Sequence, residues 1–69
     1  MTVKKDGKSY QLREDFKRAQ VVVLIDGKPV YSSGEYRNAA EHLKHQHGLS
    51  DSELRTVYQD YRNNYDNGP

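Results

Sequence analysis

His42, His45 and His47 are spaced His-x-x-His-x-His, the one cluster in the chain with the ligand chemistry for zinc, copper or nickel. His42 and His45, three apart, share a helix face, whereas His47 points elsewhere in a regular helix. Nothing completes the set. The chain has no cysteine, and Glu41 faces a third direction. These imidazoles therefore read as solvated groups at a helix end, where partial positive charge suits the dipole. Their ordinary pKa, about 6.5, lends any binding a weak pH dependence. Other chemistry is no better provided for. Serine and histidine are present without a nucleophile elbow, a phosphate-cradling glycine loop or a metalloprotease helix. Glu14 and Asp15 lie on a polar connector, and 69 residues enclose too little space to exclude water. The expectation is a protein that is not an enzyme and needs no metal or cofactor.

The elements around these residues are legible from pattern. Hydrophobic residues are 33% of the chain and charged residues 30%, so one small domain with a thin core is expected. Val21–Val22–Val23–Leu24–Ile25 is the most apolar run and does not alternate, as a strand clothed on both faces would not. Asp26–Gly27 then turns it into Lys28–Pro29–Val30–Tyr31, and Asp6–Gly7 marks a second hairpin between Val3 and Leu12. In the Asp6–Gly7 hairpin Lys5 faces Lys8 and Val3 faces Tyr10, which puts Met1, Val3, Tyr10 and Leu12 on one face. In the other, Ile25 faces Lys28, Leu24 faces Pro29, Val23 faces Val30 and Val22 faces Tyr31. Pro29 lacks an N–H to offer a further strand, so 28–32 is an edge strand and Val21–Ile25 is central, with Ser9–Leu12 on its other side. Alternation assigns Val21, Val23, Ile25 and Val30 to the face covered by helices, and Val22, Leu24, Pro29 and Tyr31 to the opposite one. Between the hairpins Phe16 and Ala19 suggest one helical turn, with Phe16 plugging the end of the core.

Two helices follow. Tyr36, Ala39, Ala40 and Leu43 give an amphipathic helix over 35–47 with Ser33 as N-cap, Gly48 as its left-handed stop and Leu49 as the accompanying apolar contact. Ser50–Asp51–Ser52–Glu53 is a capping box for a second helix, whose stripe is Leu54, Val57, Tyr58, Tyr61 and Tyr65. The fold class is α+β: a three- or four-stranded antiparallel meander followed by two C-terminal helices on one sheet face. Residues 1–64 form the domain and 65–69 a disordered tail. No apolar signal region follows Met1 and no run is long enough to span a bilayer, so a cytoplasmic location is expected and no membrane partner.

The leftover sheet face is the functional lead. Tyrosine outnumbers the other aromatics, six against one phenylalanine and no tryptophan, and Tyr36, Tyr58 and Tyr61 are placed between helices and sheet. Tyr31, beside Val22, Leu24 and Pro29 with Lys28 at the rim, has the make-up of a binding hot spot. The expected function is a regulatory or inhibitory accessory module that occludes a larger protein, with a homodimer through the same face as the competing occupant. In size and polarity the chain resembles small accessory proteins of phages and mobile elements.

The alternative partner is nucleic acid. Residues 1–20 carry six basic and three acidic side chains, a balance of +3, against four and six, or −2, over 35–69. Lys4, Lys5, Lys8, Arg13, Lys17 and Arg18 are the candidate phosphate contacts. An apolar strand followed by helix, Gly48, capping box and helix resembles the ribbon-helix-helix repressors, which dimerise through a strand and read DNA with it. The chain departs from that pattern in having a full hairpin with Asp26–Gly27 and Pro29 where the family has one strand. Its base-facing side chains would be Val22 and Leu24, which carry no hydrogen-bonding code.

Overall fold

The computed structural model describes residues 2–67. The chain runs β1 (Val3–Lys5), β2 (Lys8–Asp15), β3 (Gln20–Ile25), β4 (Lys28–Ser33), α1 (Tyr36–His47) and α2 (Asp51–Asp66). The strands form one antiparallel sheet in the order β1-β2-β3-β4, and both helices pack on one of its faces. This is the α+β meander that the sequence implies. Both Asp-Gly turns have positive φ at both central residues, 53° and 79° at Asp6–Gly7 and 53° and 81° at Asp26–Gly27. That is the geometry whose twist matches the flanking strands. Asp26 also ties its turn back to β2. Its N–H donates to the Ser9 carbonyl at 2.9 Å, and its Oδ1 accepts from the Ser9 N–H at 2.9 Å.

β2 is longer than the Ser9–Leu12 segment the pattern implies, pairing with β3 from Tyr10–Ile25 to Asp15–Gln20. The residues between them make a tight turn and not a turn of helix. Asp15 Oδ1 accepts from the N–H groups of Lys17 and Arg18, and Ala19 closes the loop with φ 53°. Phe16 consequently stays outside the core and leans on Tyr65, with ring centroids 5.3 Å apart.

The core is one-sided. Val3, Tyr10, Leu12, Val21 and Val23 from the sheet meet Ala39, Leu43, Leu49, Val57 and Tyr61 from the helical half. Gly48 ends α1 in the left-handed region (φ 69°), and the Leu49 N–H donates to the Leu43 carbonyl, which swings Leu49 into the core. The capping box forms as expected: the Glu53 N–H donates to Ser50 Oγ and the Ser50 N–H to Glu53 Oε1. The start of α1 differs from expectation. Ser33 is still paired with Val21 in the sheet, so Glu35 becomes the N-cap, and Ser33 Oγ accepts from the Glu35 N–H and from Asn38 Nδ2. α2 also continues through Tyr65 and Asp66, the first two residues of the expected tail. An Arg62–Asp66 ion pair and an Asn64 Nδ2 bond to the Asp60 carbonyl hold that last turn. Met1, Gly68 and Pro69 lie outside the described residues.

α2 is fastened across β2 by polar groups as well. Arg13 donates to Asp60 Oδ2 at 2.8 Å, and the Tyr61 hydroxyl to Glu14 Oε1 at 2.9 Å. Burial opposes the charge on Asp60, but hydrogen-bonded cationic partners, Arg13 among them, more than offset it and hold its carboxyl below the ordinary 3.8. Burial and the Glu14 carboxylate together push the Tyr61 phenol up to about 12.

Two stability measurements follow from this packing. Leu43 has no exposed surface, so Leu43→Ala is expected to destabilise by about 2–5 kcal/mol in urea unfolding, enough to leave so small a domain barely folded. Asp60 contributes stability that is present above 3.8 and lost as pH falls through its lower folded value. Acid titration of Asp60→Asn should therefore show a flatter loss of stability than the wild type.

Candidate protein-docking face

The second face of the sheet is made by the residues that alternate with the core. β2 contributes Ser9, Gln11 and Arg13 to it, and β3 contributes Val22 and Leu24. By register Leu24 lies between Gln11 and Pro29, and Val22 between Arg13 and Ser32. Val22 and Leu24 are half-buried beside these cross-strand neighbours, and both helices contact the other face. A shallow groove runs beside them, lined by Asp15, Arg18, Gln20, Val22, Pro29, Val30, Tyr31 and Ser32.

One register shift alters the expected composition of this face. The pairing follows expectation at Ile25–Lys28 and Leu24–Pro29, then slips, so that Val23 faces Tyr31 and Val22 faces Ser32. Val30 is the extra residue of a β-bulge. The bulge sits next to Pro29, and proline in sheets is confined to edges and bulges. A slip of one residue exchanges faces for everything beyond it. Tyr31 therefore joins the helix side, stacked on His42 at 4.3 Å and 8° and packed against the core. Val30, expected in the core, is 49% exposed and lines the groove. Lys28, opposite Ile25, also starts from the helix side. Of the five residues assigned to binding from the sequence, Val22, Leu24 and Pro29 share the open face, Lys28 starts from the helix side, and Tyr31 turns its ring to His42 while still bordering the groove. Val30 takes the vacated place.

The chain matches no family model, no curated protein and no solved structure.

The six candidate phosphate-binding residues are scattered. Lys5 and Lys8 pair on the helix side, where Lys5 donates to Glu53 Oε1 at 3.2 Å. Lys4 alternates to the open face, and Arg13 is engaged with Asp60. Lys17 and Arg18 sit in the β2–β3 turn, Arg18 3.9 Å from Asp15. They do not converge on one surface.

The histidines are also rearranged. His42 meets His47 at 5.2 Å and His47 leans on Tyr10 at 5.6 Å, while His45 is exposed. Among the described residues no group of three or more His, Cys, Asp or Glu side chains is placed to hold a metal ion, and no helix is long and apolar enough to cross a membrane. A second apolar depression, which the pattern did not single out, lies between the helices. Tyr36, Ala40, Leu54 and Tyr58 line it, and Tyr58 is 41% exposed although it was placed against the sheet. The i, i+4 spacing of Tyr36 with Ala40 and of Leu54 with Tyr58 was the available signal.

The two faces of β3 should respond differently to charge. Leu24→Asp is expected to cost about 1 kcal/mol and keep the fold, whereas Val23→Asp, at a position with no exposure, should unfold the domain. Circular dichroism with urea titration of both variants checks this.

Proposed function

We propose that the chain is a non-catalytic protein-binding module, a small regulatory or inhibitory accessory that seats the open face of its sheet on a larger protein and occludes it. The observation that carries this reading is the half-buried Val22–Leu24 stripe, extended by Pro29 and Val30, on the sheet face that lies away from both helices. An aliphatic centre with a polar rim is the usual anatomy of a protein contact.

The charges around the stripe point to the chemistry of the partner. Lys4 is exposed on this face, Arg18 lines the groove, and Lys17 is exposed in the adjoining turn. The acid beside them, Asp15, is engaged by Arg18 and by turn N–H groups. The occupant that fits is a protein surface with an apolar projection flanked by carboxylates. Nucleic acid fits less well, because no single surface gathers the basic residues and the stripe itself offers only aliphatic groups.

The test is capture by tagged protein from nuclease-treated host lysate, run beside Leu24→Asp and, as a control on the exposed side of α2, Arg55→Glu. One protein retained by the wild type and by Arg55→Glu, and reduced about tenfold or more by Leu24→Asp, is the expected result, a loss of at least ~1.4 kcal/mol. Capture that is absent, lost to nuclease or indifferent to Leu24→Asp overturns the reading. So does a wild-type homodimer that Leu24→Asp splits, since the face would then be occupied by a second copy.

A further inference from the structure

Four rings from three elements run in a row across the helix side of the sheet, away from the proposed docking face. Tyr31 of β4 lies flat on His42 of α1, His42 meets His47 edge-on, and His47 leans on Tyr10 of β2. The row joins the edge strand to the middle of the sheet through the C-terminal half of α1. We propose that the His42–His47 pair is an acid-sensitive latch, which fastens the last turn of α1 to Tyr10 while His47 is neutral and releases that turn when both rings are protonated.

With His42 held flat against the Tyr31 ring, the geometry penalises a second charge in the pair, on His47. It would place two imidazolium rings 5.2 Å apart, with Lys8 of β2 facing the second. Burial first, then His42 and Lys8, lower the pKa of His47 below 6.5. The dipole of α1 pulls the other way, favouring a cation in its last turn. That pull is blunted because the Gly48 and Leu49 N–H groups already satisfy the Lys44 and Leu43 carbonyls.

The remaining charges near the row offer His47 little relief. Lys28 leaves β4 on the same sheet face and adds a further cation. From β1 and α2, Lys5 and Glu53 are bonded to each other, and from the two helices Lys44 lies 3.6 Å from Asp51. His45, on the solvent side with Glu41, is a bystander. Since the folded state disfavours the proton on His47, the latch is fully closed above the ordinary 6.5 and opens as pH falls through the lower folded value.

The experiment is an NMR titration of the imidazole and backbone amide signals of the intact chain from about pH 7.5 to about pH 5, a range that spans imidazole protonation. The latch requires that His47 titrate with a midpoint below that of a free imidazole, and that the Gly48 and Leu49 amide shifts follow its curve. It also requires that His42→Gln raise the His47 midpoint. A parallel melting series tests the release: Tm should fall with pH in the wild type and in His45→Gln, and fall less in His47→Gln. A His47 midpoint at or above the free value, amides that ignore its titration, or equal pH dependence of Tm in all three proteins overturns the proposal.

Discussion

The chain carries apolar side chains enough to clothe one face of its sheet, and this shortage governs the rest of the molecule. β2 alternates strictly, with Tyr10 and Leu12 on one side and Ser9, Gln11 and Arg13 on the other, so the helices have a single face on which to pack. Leu12 and Val23, neighbours across β2 and β3, meet Leu43 and Val57 there, and these four are the largest side chains sealed from water. Each such burial is worth roughly 1.5–3 kcal/mol, which leaves a narrow margin over the entropy of ordering the chain. β3 is the exception to the alternation. It serves the core with Val21 and Val23 and still presents Val22 and Leu24 to the other side.

The thin core is supplemented where the sheet is narrowest. Among the described residues β1 pairs with β2 only from Lys8 to Tyr10, and no other described strand flanks the outer edge of β2 beyond them. It is there that Arg13 reaches Asp60, and Glu14 accepts from Tyr61. Ion pairs of this kind add little net stability over well-packed apolar groups, because both charges must be desolvated. Their larger effect is on specificity. An α2 rotated about its axis would leave the buried Asp60 carboxylate without its cationic neighbours, so the pair fixes which side of the helix meets the strand.

Local chemistry explains what the sequence revealed and what it concealed. The Asp-Gly turns, the Gly48 stop and the Ser50–Glu53 box were legible because each is decided by residues within one turn of itself. Ser33 misled because its capping chemistry was right while its place in the β4 ladder was decided by Val21, twelve residues earlier. The bulge is the instructive failure. The pattern identified Pro29 as a residue that tolerates only an edge, yet an edge can accept proline either in register or with an extra residue beside it. Choosing between the two needs Tyr31 and His42 in the same view, a contact between a strand and a helix that alternation cannot supply. For the candidate site, Val22, Leu24 and Pro29 were readable from period alone, whereas Val30 and Tyr31 exchanged places with that one slip.

The same bulge bears on how such a sheet can engage a partner. Sheets bind proteins by adding a strand at an edge or by docking a face. One edge here is β1, three residues long; the other is β4, which has Pro29 and a register break near its middle. Short, proline-bearing and bulged edges are the devices by which sheets avoid recruiting further strands. At β1 and at β4 strand addition would gain only a few backbone hydrogen bonds before an interruption, and beyond β1 the outer edge of β2 is where Arg13 reaches Asp60 and Glu14 accepts from Tyr61. Face docking meets no such obstacle, and the bulge even serves it by turning Val30 outward beside Val22 and Pro29. On this argument the feature that turns the Tyr31 ring towards His42 also interrupts the β4 edge against a further strand and adds Val30 to the aliphatic surface beside Val22 and Pro29.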